Sequence, residues 1–237
     1  MLLLFDIDGT LVRGRPLTHQ LALEEAATAV FGLRVDQGES PVADVEPWGK
    51  TDRQILRDVL ARAGLPAPEP DALARWERAA CEAYARLEVD GDGPGAAAEH
   101  AATARALARL RDSGHALALV TGNLEPIARR KLSLRGLEGF FPAGGGGFGS
   151  DAELRPELVP IARARAGRGS NGGPHPREDT VLIGDTPFDV AAASADGVRA
   201  VGITGHRFSA EALLASGAAA TVDELDELED VLGRLLK

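Results

Sequence analysis

Two aspartates separated by one residue, Asp6 and Asp8, stand at the end of the apolar run Leu2 to Phe5, and a second acidic pair, Asp185 and Asp189, follows the run Thr180 to Ile183. Between them, Val120 leads into Thr121, Gly122 and Asn123, and Arg155 opens the segment Arg-Pro-Glu-Leu. Carboxylates in this number can hold a hard divalent cation through oxygen ligands, attack as nucleophiles and carry protons. A hydroxyl, the free amides of a helix start and a cation can together hold a tetrahedral anion. The set therefore suits phosphate and magnesium chemistry. Each part has a plainer reading on its own. Asp and Gly are ordinary turn residues, Thr121 or Asn123 could simply cap a helix, and Asp185 with Asp189 could be an N-cap and a first-turn charge. The recurrence at several strand ends is what favours a common site.

Such residues meet only if those strands end on one edge of a parallel sheet. Leu2 to Phe5 show no polar alternation, as expected of a central strand covered on both faces, and ligands of open α/β sheets bind beyond the carboxyl ends of the strands. Gly9 allows a sharp turn after the two acids. The chain then reads as helical up to about residue 90. Leu17, Leu21, Ala26 or Ala27 and Val30 trace one helix ending near Gly32, and Thr51 or Asp52 caps a second through Ile55, Leu56, Val59, Leu60 and Ala63 to Gly64. After the turn Pro66 to Pro70, a third carries Leu73, Trp76, Ala80, Tyr84 and Leu87 on one face, with Trp76 and Tyr84 read as packing.

Asp90 to Gly95 reads as a linker, and alternating helix and strand follow, which implies a parallel sheet with crossover helices. The expected elements are a helix over 99–112, a strand over 116–120, a helix capped by Asn123 and reaching Leu134, and a short strand at Phe140 and Phe141. Next come a helix with Pro156 in its first turn ending near Ala166, a mobile surface loop over 167–179, and a strand over 180–183. A helix over 188–195, a strand over 198–201, a helix over 210–215, a strand over 218–222 and an acidic final helix complete the chain. The prediction is an α/β fold: a Rossmann-like parallel-sheet core of residues 1–14 and 95–237, interrupted by an all-helical segment of residues 15–94.

The 237 residues suffice for an ample core without covalent staples. A net charge of -10 and a pI of about 5.0 argue against a nucleic-acid-binding surface, so any anionic substrate must meet positive charge gathered locally. Cys81 is the only cysteine, which excludes an internal disulfide and a cysteine-based metal cluster. No apolar run approaches the roughly 18 residues of a membrane span, and the N-terminal run is too short for a signal peptide core and has no basic region before it. The expectation is a soluble cytoplasmic protein, monomer or homodimer, without a membrane or nucleic-acid partner.

The segment Asp-Ile-Asp-Gly-Thr-Leu at residues 6–11 resembles the first motif of the haloacid dehalogenase-like (HAD) hydrolase superfamily. Thr121 resembles the second motif, and Gly-Asp-Thr-Pro-Phe-Asp, with Asp185 and Asp189, the fourth. The third motif is a cation, usually lysine. Arg155 is the better-placed candidate, and Lys131, two turns into the helix after Thr121, is the competitor expected to face solvent. The resemblance covers nearly the whole chain. It implies a Rossmann-like core with a type-one helical cap at residues 15–94 and, most closely, a phosphoglycolate-phosphatase-like enzyme of a small phosphorylated metabolite. Asp6 would be the nucleophile that forms an aspartyl-phosphate, and Asp8 the general acid and base. Thr121, Arg155 and the amides of Gly122 and Asn123 would hold the phosphoryl oxygens. Mg2+ would be bound by Asp6, the Asp8 carbonyl and Asp185, with Asp189 ligating directly or through water. A phosphomutase of sugar phosphates, a haloacid dehalogenase and a catalytically idle binding or regulatory module are the alternatives. Release of halide needs no protonation, so the presence of Asp8 favours phosphoryl transfer over dehalogenation.

Lys50, in the turn Gly49 to Asp52, is either a substrate contact or a solvated turn residue. Gly49-Lys50-Thr51 has the ending of a P-loop, but the glycine required five positions earlier is Asp44. Gly144, Gly146 and Gly149 fit a dinucleotide spacing without the preceding strand or the following acid, and read as a flexible connection. His19, His100, His115, His175 and His206 form no ligand spacing and are expected to be surface or core residues.

Overall fold

The computed structural model describes residues 1–13, 17–36, 38–87, 96–167, 172–205 and 207–235. The first strand, β1 (Leu2–Phe5), is fully buried and lies at the centre of a six-stranded parallel sheet. Its neighbours are β2 (Ala116–Thr121) on one side, in register Leu2 with Ala116, and β4 (Thr180–Gly184) on the other, in register Leu2 with Thr180. Beyond β2 lies β3 (Gly147–Phe148), and beyond β4 lie β5 (Arg199–Ile203) and β6 (Ala220–Val222), all parallel.

Consecutive strand residues point to opposite faces, and the core divides accordingly. Leu3, Phe5, Leu117, Leu119, Val181 and Ile183 share one apolar cluster, while Leu2, Leu4, Ala118, Val120 and Leu182 share another. Burying each such side chain stabilises by roughly 1.5–3 kcal/mol. The strand ends are thereby fixed, with Asp6, Thr121 and Asp185 aligned on one edge.

The crossover helices are α4 (Ala96–Asp112), α5 (Glu125–Leu134), α6 (Leu158–Gly167), α7 (Pro187–Asp196) and α8 (Ala210–Ala215), followed by the terminal α9 (Leu228–Leu235). Between β1 and β2 the chain forms α1 (Leu17–Phe31), α2 (Asp52–Arg62) and α3 (Pro70–Leu87). These three bury a cluster of their own that includes Leu23, Ile55, Leu60, Trp76, Ala80 and Tyr84, and Leu124 and Ile127 at the start of α5 join it. The α2 cap is Thr51, whose hydroxyl accepts from the Gln54 amide. Among the described residues no helix is long and apolar enough to cross a membrane.

Three local expectations are corrected. Phe140 closes a 3-10 turn (Glu138–Phe140) instead of opening a strand, and the short strand is Gly147–Phe148 inside the glycine run. A Cβ at Gly147 would run into the Leu158 carbonyl at the start of α6, so only glycine fits where this short strand passes that helix. Asn123 does not cap α5. The N-cap position is Leu124, and the orphan amides there are met from elsewhere in the fold. Pro156 sits in a 3-10 turn (Arg155–Glu157) that precedes α6 instead of in its first turn.

The linker Asp90 to Gly95 and the junction near residue 15 lie outside the described residues, as do His206 and residues 168–171 of the expected loop. The described remainder of that loop is tied to α6 by the His175 amide, which donates to the Arg163 carbonyl at 2.9 Å.

Candidate active site

Asp6 leaves β1 with its amide donating to the Ile183 carbonyl of β4 at 3.0 Å, so the first acid is locked to the strand that carries the second pair. The turn after it requires Gly9, which has φ 90° and whose missing Cβ would collide with the Asp185 carboxylate. Gly184 is needed for the same reason, because a Cβ there would strike Asp189. At the end of β4, Thr186 and Asp189 form a reciprocal capping box that opens α7: the Thr186 amide donates to Asp189 Oδ2 at 3.0 Å and its hydroxyl at 2.7 Å.

Asp6, Asp185 and Asp189 bring carboxylate oxygens within 4.8 Å of one another, all buried. Arg155 reaches this cluster from the turn before α6. Its Nη2 lies 2.9 Å from Asp6 Oδ1 and also pairs with Asp189 Oδ1, and its Nη1 donates to the Gly49 carbonyl at 3.3 Å. Both oxygens of Asp189 are thus engaged, by Arg155 and by Thr186. Asp185 Oδ1 is buried without a hydrogen-bonding partner.

One cation does not neutralise three buried carboxylates. Burial pushes the Asp6 carboxyl up to about 7, against the pull of Arg155 and with the charges of Asp189 and Asp8 adding to the rise. Asp185 is pushed up to about 8, again by burial first and then by Asp6 and Asp189. Burial works against the Arg155 charge, but Asp189 and Asp6 outweigh it and raise its pKa. An all-oxygen donor set with an orphaned carboxylate oxygen and unbalanced negative charge fits a hard divalent cation.

Asp8 lives in a different field. Its carboxylate is 29 % exposed, and Lys131 Nζ lies 2.7 Å from Oδ1 and 2.6 Å from Oδ2. Asn123 donates a further hydrogen bond to Oδ2 at 2.9 Å. Burial would raise this acid, yet Lys131 and His19 hold it down at about 2. Two carboxyls two residues apart are therefore pushed in opposite directions, Asp6 upward among buried acids and Asp8 downward beside Lys131.

Lys131 corrects a sequence expectation, since it is 1 % exposed and faces the site instead of solvent. Its register contained the signal: Ile127, Ala128, Lys131 and Leu132 form the buried face of α5, and the lysine lies on that face with the three apolar residues. His19, which lacked a ligand spacing, accompanies it, with Nδ1 3.2 Å from Lys131 Nζ. Asp52 completes the chain, 3.1 Å from His19 Nε2 through Oδ2, an oxygen that also accepts the Leu124 amide at 2.8 Å.

The other expected residues divide. Gly122 and Asn123 line the cavity; Thr121 is fully buried and its hydroxyl accepts from the Asn123 side chain at 3.1 Å. Lys50 also lines the cavity, with Nζ donating to Asp58 at 2.8 Å and to the Val45 carbonyl at 2.6 Å. The cavity has a volume of about 500 Å³ and lies between the sheet edge and helices α1 and α2. At its wall, the Arg207 guanidinium stacks 3.5 Å from the centroid of the Trp48 ring. The loop carrying Trp48 and Lys50 seats directly on the core: the Asp52 amide donates to the Gly122 carbonyl at 2.8 Å, and the Thr51 hydroxyl bonds to the Glu153 carbonyl.

Residues 1–197 match the sequence model of a family described as haloacid dehalogenase-like hydrolase. A phosphoglycolate phosphatase of Cupriavidus necator is 31% identical over 235 residues, which span 97% of this chain and 91% of that protein. A shorter match, 33% identical over 97 residues and 41% of each chain, is to a protein of Caldanaerobacter subterraneus named as a pyrophosphatase, PpaX. Among solved structures, CbbY of Rhodobacter sphaeroides in complex with xylulose-(1,5)bisphosphate superposes with a TM-score of 0.66 at 22% identity, covering 95% of both chains.

Proposed function

The chain belongs to the haloacid dehalogenase-like hydrolases, and from that premise we propose that it is a magnesium-dependent phosphatase of a small phosphomonoester, acting through an aspartyl-phosphate on Asp6. The observation that carries this reading is the separation of the two first-motif acids into different surroundings. Asp6 faces Arg155 and the acidic cluster, whereas Asp8, which also lines the cavity, pairs with Lys131 and Asn123. A nucleophile needs the first environment, and a proton carrier for a leaving alkoxide or an attacking water needs a separate one.

In this reading Asp6 Oδ attacks phosphorus and the ester oxygen leaves. Arg155 and the amides of Gly122 and Asn123 bear on the phosphoryl oxygens, where fixed donors aimed at developing charge act most strongly. Water then attacks the aspartyl-phosphate, with Asp8 taking its proton. Thr121 orients Asn123 by accepting from its side chain, and its own hydroxyl proton is left to donate to a phosphoryl oxygen. Asp6, Asp185 and the Asp8 carbonyl, with Asp189 directly or through water, would hold Mg2+, which would supply charge neutralisation between an anionic nucleophile and an anionic ester.

Residues 15–94 act as a cap over the site, and Lys50 and Trp48 bring the cap's choice of substrate to the cavity wall. A cavity of about 500 Å³ suits a small metabolite, and the likeness to a phosphoglycolate phosphatase over 97% of the chain supports a short anionic phosphomonoester. The test is a phosphate-release screen across short phosphate esters with and without magnesium. Release from at least one ester, dependent on magnesium, is expected; intact esters throughout would remove the reading.

A further inference from the structure

Lys131 is a wholly buried ammonium that the proposed reaction does not use, and burying a charge is tolerated only when partners replace its water. Its partners are the two oxygens of Asp8, at 2.7 and 2.6 Å, and His19 Nδ1 at 3.2 Å. His19 is held in turn by Asp52 through Nε2 at 3.1 Å. The same Asp52 oxygen accepts the Leu124 amide at 2.8 Å, in place of the side-chain cap that Leu124 cannot provide at the start of α5.

The chain Asp8, Lys131, His19, Asp52 therefore passes from the first-motif turn to α5, to α1, to the N-terminus of α2 and back to the backbone at the head of α5. Every member except Asp8 is buried. Asp8, His19 and Asp52 line the cavity and Lys131 lies behind them, with the Asp8 carboxylate the most exposed of the four side chains at 29 %. A lysine that only filled space in the core would not span both oxygens of a carboxylate that lines the cavity.

We propose that Lys131, fixed by His19 and Asp52, is a positioning residue that holds the Asp8 carboxylate in the orientation from which it accepts the proton of the attacking water, so that the seat of α1 and α2 on the core governs the second half of the reaction. The inference rests on the phosphatase reading above. In that half-reaction the water oxygen bonds to phosphorus, its proton passes to Asp8, the bond from phosphorus to Asp6 breaks with its electron pair returning to the Asp6 carboxylate, and inorganic phosphate leaves.

An aryl ester separates the two halves, because p-nitrophenolate leaves without protonation. For p-nitrophenyl phosphate, kcat/KM reports formation of the aspartyl-phosphate and kcat its hydrolysis when that step is slow. Lys131→Met is expected to lower kcat roughly 10- to 100-fold, to leave kcat/KM within about threefold, and so to lower KM in proportion, with a burst of p-nitrophenolate in the first turnover. A general loss of structure would lower both parameters together.

His19→Asn, which removes only the second link, is expected to show the same split at smaller size and provides the measurement if Lys131→Met does not fold. Equal falls in kcat and kcat/KM, or wild-type values for His19→Asn, would overturn the inference while leaving the phosphatase intact. A wild-type protein inert toward every ester in magnesium would overturn the function, and the inference with it.

Discussion

Arg155 Nη2 stands 2.9 Å from Asp6 Oδ1 while Lys131 Nζ stands 2.6 Å from Asp8 Oδ2, so each first-motif acid has a buried cation of its own. The two cations are not competitors for one post. Arg155 also ties Asp189 and the Gly49 carbonyl, and so links the acidic cluster to the loop of the helical segment.

This division has a kinetic consequence. Arg155→Ala should lower kcat/KM for p-nitrophenyl phosphate about 100-fold or more, the range lost when one donor to a developing oxyanion is removed. Arg155→Lys should recover part of that loss, because a point charge replaces the charge but not the fork that reaches Asp6, Asp189 and Gly49 together. Steady-state kinetics on the three proteins check it, and an Arg155→Ala enzyme with normal kcat/KM would count against the placement.

The raised carboxyls of Asp6 and Asp185 make metal binding and stability depend on pH. With their pKa values near 7 and 8, the metal-free folded protein keeps protons that the unfolded chain releases near pH 4. Stability from these groups is therefore present at low pH and lost as pH rises from about 4 through 7 to 8. Magnesium must displace those protons, so its affinity should strengthen across the same window. Thermal melts with and without magnesium should show a larger rise in Tm at pH 8 than at pH 6; a shift independent of pH would contradict the assignment of the acidic cluster as the metal site.

The seat of the helical segment can be tested at one atom. A Cβ on Gly122 would strike the Lys50 carbonyl, whereas a Cβ on Gly139 would meet nothing within 4 Å. Gly122→Ala should therefore destabilise the fold by about 1–3 kcal/mol and impair turnover by pushing the Gly49 to Asp52 loop off the core. Gly139→Ala should change neither. Chemical denaturation paired with activity measurements would decide, and a neutral Gly122→Ala would show that the loop does not rest where the contact requires.

The sequence revealed most of the sheet because buried parallel strands carry unbroken apolar runs, and the acids at their ends are exceptions that stand out. Asp6 and Asp185 were legible for that reason, as were the stripes of α2 and α3. β3 was not, because Gly147 is chosen for the absence of a side chain, and a strand built on close approach leaves no apolar signal. Asn123 looked like a cap because Asn often is one; here its amide is committed to Asp8 and Thr121 while Asp52 and Ser150 meet the amides of α5. Lys131 was misread because its charge was weighed above helical register, and His19 is buried as one of its two alternatives allowed, with no spacing to show its partners. Lys131 lies more than a hundred positions from both Asp8 and His19 in sequence, a juxtaposition that only the fold creates.

The central claim is that Asp6 is the nucleophile, and Asp6→Asn tests it most directly. Phosphate release in magnesium by the variant, whose circular dichroism should match the wild type, is expected to fall at least about 1,000-fold, since a neutral amide cannot form the acyl-phosphate. Full turnover by the folded variant would contradict the account.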